Sequence, residues 1–151
     1  MLAEATTVAR DPALAIHMRY LGALERFDLD TALACFSPNV EYSHHPFSEV
    51  HEGLEGDTEW HLVRGHEALR GLFEFRGPDP IPHRITGFAR NGDLCFAEGY
   101  TPGDDGPKPK VTWIAIWTVD DQDRMLKYHQ YIQWPSVLVI GREDLPCANA
   151  P

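Results

Sequence analysis

The sequence has few basic residues and no long apolar run. Its 151 residues include 13 lysines and arginines against 23 aspartates and glutamates, for a formal charge of −10. Binding to a phosphate backbone requires clustered basic residues, so we expect no nucleic-acid partner. A membrane-spanning helix needs about 20 consecutive apolar residues, and no stretch approaches that length, so we expect no membrane association.

Cysteine is also scarce. The three cysteines, Cys35, Cys95 and Cys147, are an odd number without metal-type spacing, which argues against a disulfide framework. Glu4 and Arg10 place charges where a secretory signal peptide needs an apolar core. We therefore expect a cytoplasmic protein in a reducing compartment.

Three segments show the spacing of amphipathic helices. The first covers residues 12–27, with apolar side chains recurring every three or four positions. A shorter second helix covers residues 30–36 and ends at Pro38, because proline restricts the residue before it. The third covers residues 64–76 and ends at the Gly-Pro-Asp-Pro segment of residues 77–80.

The segment between the second and third helices changes character at Pro46. Residues 40–45 alternate between two faces, which predicts a strand that this proline ends. Residues 47–63 show no period and contain Gly53, Gly56 and five acidic residues, which predicts a long loop. Loops of this length in compact domains are often lids or binding loops.

The rest of the chain predicts an antiparallel meander, because four extended runs follow without a helical pattern between them. Asn91-Gly92 is the clearest hairpin turn. Three prolines and two glycines predict that residues 102–109 form a loop. Helices that precede such a meander must cover one face of its sheet, and a twisted sheet can leave a cavity beneath them. The four runs are residues 81–89, 93–101, 110–119 and 125–134.

Three segments of this sequence resemble a known family. Residues 34–42, ACFSPNVEY, resemble its opening strand region, and residues 64–69, RGHEAL, resemble the start of its third helix. Residues 113–133 resemble its closing hairpin. The family is the SnoaL-like group of the nuclear transport factor 2-like superfamily.

The resemblance implies an α+β domain over residues 12–135, between tails at residues 1–11 and 136–151. Its expected architecture is a cone-shaped, curved antiparallel sheet wrapped around three N-terminal helices, with one internal pocket. The superfamily hosts isomerases, polyketide cyclases, epoxide hydrolases, dehydratases and non-catalytic binding modules. Its fold therefore does not define an activity.

Strand alternation and the resemblance together place one set of side chains in the pocket. His44 is the candidate general acid or base, because imidazole titrates near neutrality, and Tyr42 is a candidate hydrogen-bond donor to a substrate oxygen. Both have an alternative structural role, and the tryptophans have an alternative role as core residues. Trp60, on the loop, is a candidate for closing over a ligand. The other predicted substrate contacts are Thr101, Trp113, Trp117, Tyr128, Gln130 and Ile132.

The resemblance to limonene-epoxide hydrolases stops at their charged residues. Their arginine and two aspartates fall at Gly99, Thr101 and Gln130 here, so the carboxylates of that mechanism are missing and epoxide hydrolysis is disfavoured. The acid/base aspartate of SnoaL-type cyclases also falls at Gln130, and glutamine does not exchange a proton near neutral pH. If the protein catalyses cyclisation or isomerisation, another group must carry the proton, and His44 is the best candidate.

Two functional hypotheses therefore remain open. One is an enzyme for isomerisation, cyclisation or dehydration of a small hydrophobic or polycyclic molecule, and the other is a non-catalytic binding protein with the same pocket. We expect no cofactor and no metal site, since His44 and His45 point to opposite faces of a strand. We also expect a homodimer formed through an outer sheet face that carries Tyr131, Ile114 and Ile116.

Overall fold

The described residues form three α-helices, as the sequence predicts. The computed structural model describes residues 11–49, 53–78, 80–103, 106–133 and 145–146. The helices are α1 (Pro12–Glu25), α2 (Leu29–Ala34) and α3 (Gly65–Arg76). Asp11 caps α1, because its Oδ1 accepts a hydrogen bond from the backbone N–H of Ala13 at 2.8 Å. Cys147 and nearly all of the two predicted tails lie outside the described residues.

In the part of the chain that the structure describes, seven strands form one sheet in the order β2-β1-β6-β5-β4-β3-β7. Strand β1 pairs with β6 in parallel, and every other described pairing is antiparallel. The predicted meander is confirmed as β3 to β6. The strands are β1 (Phe36–His44), β2 (His61–Arg64), β3 (Arg84–Asn91), β4 (Leu94–Gly103), β5 (Gly106–Val119), β6 (Met125–Gln133) and β7 (Leu145–Pro146).

The predicted loop at residues 102–109 is wrong. Strand β4 continues to Gly103, β5 begins at Gly106, and Pro102 pairs with Pro109. The register shifts on both sides of Pro102, and proline is tolerated in a ladder where such an irregularity removes the need for its missing N–H. The hairpin is therefore longer than its composition indicates.

The region around the first strand also differs from the prediction. Strand β1 begins at Phe36, and its register against β6 shifts between Phe36 and Glu41, which accommodates Pro38 within the strand. The predicted loop at residues 47–63 is interrupted by a 3-10 helix (Phe47–Glu49) and ends in β2, which pairs with β1. A strand of four residues is too short to show a period in the sequence.

The curved, unclosed sheet and the helices form an α+β cone, and the core lies between them. Helix α1 buries Leu14, His17, Leu21 and Leu24 against the inner face of the sheet. Alternation along the strands then decides which of their side chains join this core. The largest fully buried side chains include Trp117, Tyr20, Tyr42, Tyr128, Phe36 and Phe73.

The outer face of the sheet is more exposed. Ile114 and Tyr131 are cross-strand neighbours on β5 and β6, with 47% and 48% of their surface accessible. The homodimer expected through this face stays a prediction. None of the described helices is long and apolar enough to cross a membrane.

Candidate functional site

A cavity lies between α1, the end of α3 and the inner face of the sheet. About 50 Å³ of it is open to the centre of a water molecule, which is room for a few waters. Six of the residues predicted for the pocket line this cavity, and we call them the strand wall because all lie on β1, β4, β5 or β6. They are Tyr42, His44, Thr101, Trp113, Gln130 and Ile132.

Three other predicted contacts lie elsewhere. Trp117 and Tyr128 are fully buried in the core and do not line the cavity. Trp60 is 49% exposed and contacts the rings of His45 and Tyr131, at centroid distances of 4.8 and 5.7 Å. The chain entering β2 passes along the outer side of the sheet. Trp60 therefore does not cover the cavity.

Two phenols meet on the strand wall. The hydroxyls of Tyr20, from α1, and Tyr42 are 3.0 Å apart and share a hydrogen bond. Burial raises the pKa of Tyr42 to about 12, although the Tyr20 bond and the charge of Arg76 act in the opposite direction. Burial also raises the pKa of Tyr20 well above its usual value. Both hydroxyls therefore stay protonated and are hydrogen-bond donors at neutral pH.

His44 lies beside Gln130 on the strand wall, because the parallel register of β1 and β6 pairs these two positions. Its Nδ1 is 2.6 Å from the backbone oxygen of His45. A carbonyl oxygen only accepts, so Nδ1 carries a proton and donates it. Phe47 covers the ring at a centroid distance of 4.7 Å.

A buried hydrogen-bond chain supports the strand wall from behind. The Tyr128 hydroxyl donates to Oε1 of Gln130 at 2.9 Å and lies 3.3 Å from Nε2 of His17. This leaves the Gln130 amide nitrogen as the donor on the cavity side. Burial, with a smaller contribution from the charge of His83, lowers the pKa of His17 to about 3, so this histidine is neutral.

The opposite side of the cavity carries charged groups. We call Arg76, Ile81 and His83 the helix-end rim, because these cavity-lining residues follow the end of α3 or lie at it. Glu25, the last residue of α1, stands behind this rim. Its Oε1 accepts from the backbone N–H of His83 at 2.6 Å and from Nδ1 of the same residue at 3.2 Å.

Sequence reasoning did not single out Glu25, His83 or Arg76. The sequence spacing of two of them is informative, because it places each on the buried face of its helix. Glu25 lies four residues after Leu21 on α1, and Arg76 lies four residues after Leu72 on α3. A charged residue at a buried helix position marks a group that needs a partner or has a function. His83 lies in the irregular segment before β3, where no pattern exists.

The comparison with protein families decides the classification. The sequence matches the family described as the SnoaL-like domain over residues 18–128. The chain belongs to the SnoaL-like domain family. That match covers the whole of the strand wall except Gln130 and Ile132, and it includes the helix-end rim.

Solved structures share the fold of this SnoaL-like protein at low sequence identity. An NTF2-like protein of unknown function from Burkholderia xenovorans is 12% identical, with a TM-score of 0.59 over 85% of this chain and 88% of that one. TerC, co-crystallised with polyporic acid, is 18% identical, with a TM-score of 0.56 over 82% and 92%. A protein with a ketosteroid isomerase-like fold from Catenulispora acidiphila, in complex with trimethylamine, is 16% identical, with a TM-score of 0.55 over 77% and 83%.

These similarities establish the fold of the SnoaL-like protein and no particular activity, because such folds host many functions. A search of the curated proteins gives no match.

One departure from the epoxide hydrolases has a steric cause. A Cβ on Gly99 would lie 2.2 Å from Cζ2 of Trp113 and 2.3 Å from the backbone oxygen of Arg84. No real Cβ tolerates such contacts. The position at which the resemblance places an arginine in those hydrolases is therefore closed by the Trp113 ring in this SnoaL-like protein.

Potential metal ligands do not cluster in the part of the chain that the structure describes. Within it, no three His, Cys, Asp or Glu side chains lie close enough together to hold a metal ion. Asp57 and His61 form a pair, with 2.7 Å between Oδ2 and Nε2, outside the cavity lining.

Proposed function

We propose that this SnoaL-like protein is a cofactor-free enzyme that transfers a proton on a small oxygen-bearing substrate, as isomerases, cyclases and dehydratases do. The observation that carries the proposal is the Glu25–His83 pair at the cavity. The two side chains are 9% and 15% exposed, so the pair is largely shielded from water. A histidine held by a carboxylate beside a cavity is a common general base.

The proposed mechanism assigns the first proton transfer to His83. Its Nδ1–H is held by Glu25, so Nε2 of the neutral ring is the basic nitrogen. In this proposal Nε2 takes a proton from a substrate carbon next to a carbonyl group. The carboxylate of Glu25 fixes the ring orientation and stabilises the imidazolium that forms.

The strand wall would stabilise the charge that develops on the substrate oxygen. One proton of the Tyr20–Tyr42 pair is used in the hydrogen bond between the two hydroxyls, so the pair offers the substrate one O–H donor, and the amide nitrogen of Gln130 is a further donor. Donors that are already in place around a developing oxyanion lower the barrier without reorganising water. The imidazolium of His83 would then return its proton to another atom of the substrate, which completes the transfer and restores the base.

The other proposal is a binding protein that uses the same cavity without turnover. The specific observation in its favour is that no carboxylate lines the cavity among the described residues. TerC, which shares the fold, is co-crystallised with polyporic acid, and this supports a small-molecule ligand under either proposal.

Hydrogen–deuterium exchange separates the two proposals. The protein would be incubated in D₂O with a panel of small cyclic ketones and β-keto acids, and loss of the α-proton signal would be followed by NMR. We expect catalysed exchange for at least one of these carbonyl compounds. Replacing the base, His83→Asn, should then slow exchange by about 100-fold to 10,000-fold.

The matched control is His66→Asn, since Nε2 of His66 donates to the backbone oxygen of Phe36 at 3.0 Å and His66 does not line the cavity. Its exchange rate should stay close to that of the wild type. A ligand that binds in the cavity without any exchange, or exchange that survives His83→Asn unchanged, would favour the binding protein.

A further inference from the structure

Arg76 is partly buried at the cavity, and it differs from Arg90 and Arg124 in lacking a counter-ion among the described residues. Arg90 forms ion pairs with Asp11 and Asp123, and Arg124 forms one with Asp120. Within the described part of the chain, Arg76 has no carboxylate within salt-bridge distance. Its Nε donates to the backbone oxygen of Gly77 at 3.3 Å, and its guanidinium lies over the Phe73 ring at 5.7 Å from the centroid, so neither contact neutralises the charge. A shielded charge without a partner is costly, because protein interiors stabilise charges mainly by pairing.

The cavity also has donors that lack acceptors. Nη2 of Arg76 and Nε1 of Trp113 are both shielded from solvent, and neither finds a hydrogen-bond partner among the described residues. Both residues line the cavity. Gln130 adds a third donor, because its oxygen is already occupied by Tyr128. The N–H donors of these three cavity-lining residues therefore lack an acceptor. An anionic oxygen is the strongest acceptor for such donors.

The charge distribution points in the same direction. The one carboxylate next to the cavity among the described residues, Glu25, already accepts two hydrogen bonds from His83. The positive charge of Arg76 is felt across the cavity, since it acts to lower the pKa of both Tyr20 and Tyr42 against the larger effect of burial. A protein with a formal charge of −10 thus carries an unneutralised cation at its cavity.

We infer that the cavity binds a small carboxylic acid in its ionised form, with Arg76 as the counter-ion of the carboxylate. A guanidinium presents a planar fork of N–H donors that matches the two carboxylate oxygens. Leu24, Val111 and Ile132 supply apolar lining for the rest of the ligand. With about 50 Å³ open to water centres, the cavity fits a short-chain or single-ring acid better than a polycyclic one.

This inference rests on the proposed function in one respect, namely that the same cavity is the ligand site. Within that function it names the substrate class. A carboxylate held at Arg76 on the helix-end rim would keep the adjacent carbon atoms near His83 on the same rim. Binding and proton transfer are separate measurements, so each can fail without the other.

The test is a calorimetric titration of the wild-type protein with sodium benzoate and with benzamide, its uncharged analogue of the same shape. We expect benzoate to bind at least about tenfold more tightly than benzamide, since a charge-assisted pair is lost in the amide. Arg76→Gln should reduce benzoate affinity by about tenfold or more. Arg76→Lys should reduce benzoate affinity by a smaller factor, because lysine keeps the charge but lacks the planar fork of N–H donors. Acetate would be titrated in parallel, since it carries the carboxylate without the ring.

The matched control is Arg70→Gln. Arg70 lies on the same helix, is ion-paired with Asp30 and does not line the cavity, so the benzoate affinity of this variant should equal that of the wild type.

Thermal unfolding would confirm that each variant is folded, and the wild-type comparison of benzoate with benzamide requires no variant at all. Equal affinities for benzoate and benzamide, binding of neither benzoate nor acetate, or unchanged benzoate affinity in folded Arg76→Gln would each overturn the inference. His83→Asn should still bind benzoate while losing deuterium exchange, which distinguishes failure of the catalytic proposal from failure of this one.

Discussion

The two sides of the cavity differ in chemistry although they face the same space. The strand wall presents hydroxyls, an amide, an indole and a histidine, and contains no formally charged residue. The helix-end rim presents Arg76 and His83, with Glu25 behind them. One side of this cavity is suited to shaping and hydrogen-bonding a ligand, and the other to holding charge and moving a proton.

The difference follows from where each side lies in the fold. Positions on the strand wall are surrounded by neighbouring strands, so a charge there would be buried on all sides at high cost. The rim lies where α1 and α3 end, and its groups retain some contact with solvent: the Glu25 and His83 side chains are 9% and 15% exposed. The C-terminal end of α3 also favours the cation of Arg76 through the helix dipole.

The largest effect should come from removing the charge behind the rim. Glu25→Gln keeps an acceptor for His83 but loses the carboxylate that stabilises its imidazolium, so deuterium exchange should slow by about 100-fold or more. His44→Gln, on the strand wall, should slow it by no more than about tenfold. The measurement is the NMR exchange rate of both variants as a function of pH.

The control for that pair is Glu41→Gln, because Glu41 forms an exposed ion pair with Arg64 at 3.0 Å. It should leave the exchange rate unchanged. If His44→Gln proves as damaging as Glu25→Gln, the division between a neutral wall and a proton-transferring rim does not hold.

A second effect, of about 2 kcal/mol, should come from the neutral histidine behind the strand wall. The pKa of His17 falls from 6.5 to about 3 on folding, so the unfolded chain binds a proton that the folded chain excludes. The contribution of His17 to the free energy of unfolding is therefore fully present above pH 6.5 and is lost as the pH falls below that value. Between pH 7 and pH 5 the loss is roughly 2 kcal/mol.

His17→Gln tests this contribution, because the amide does not titrate but can still donate to Tyr128. Urea denaturation at pH 7 and pH 5 should show a smaller pH-dependent loss in the variant than in the wild type, by about 2 kcal/mol. An identical loss in both proteins would mean that His17 is not kept neutral by the fold.

The smallest effect should come from the hydrogen bond between Tyr42 of the strand wall and Tyr20 of α1. Tyr42→Phe removes the 3.0 Å hydrogen bond between Tyr20 and Tyr42 and should lower the free energy of unfolding by about 1 kcal/mol. Tyr20→Phe and the double variant complete a double-mutant cycle, measured by urea denaturation. A coupling energy near zero would contradict a direct bond between the two hydroxyls.

The strand wall is largely predictable from the sequence, whereas the helix-end rim is not. Strand alternation is a property of consecutive residues, so it assigns Tyr42 and His44 to one face of their strand, and the resemblance to the family adds Gln130 to the same face of the sheet. Alternation does not distinguish a residue that reaches the cavity from one that lies deeper in the core. Trp117 and Tyr128 are therefore predicted as ligand contacts and lie in the core instead.

The rim depends on the path of an irregular segment. His83 meets Glu25 only because the chain leaving α3 returns past the end of α1, and no local pattern encodes that path. The four-residue strand β2 escapes prediction for a related reason, since its pairing with β1 is decided by the fold. Because the sequence does not predict the pairing of β2 with β1, it also does not predict that Trp60 lies on the outer side of the sheet.

The parallel pairing of β1 with β6 joins an early strand to one near the end of the described chain. During synthesis, β1 and all three helices leave the ribosome long before the strand that flanks β1 in the sheet, so the cavity forms only when nearly the whole domain has emerged. Contacts of such large sequence separation also slow folding, because the chain must close a long loop before they stabilise it. Until β6 docks, one edge of β1 stays unpaired, and the ring of Tyr42 lacks the Tyr128 ring, with which it stacks at a centroid distance of 5.1 Å.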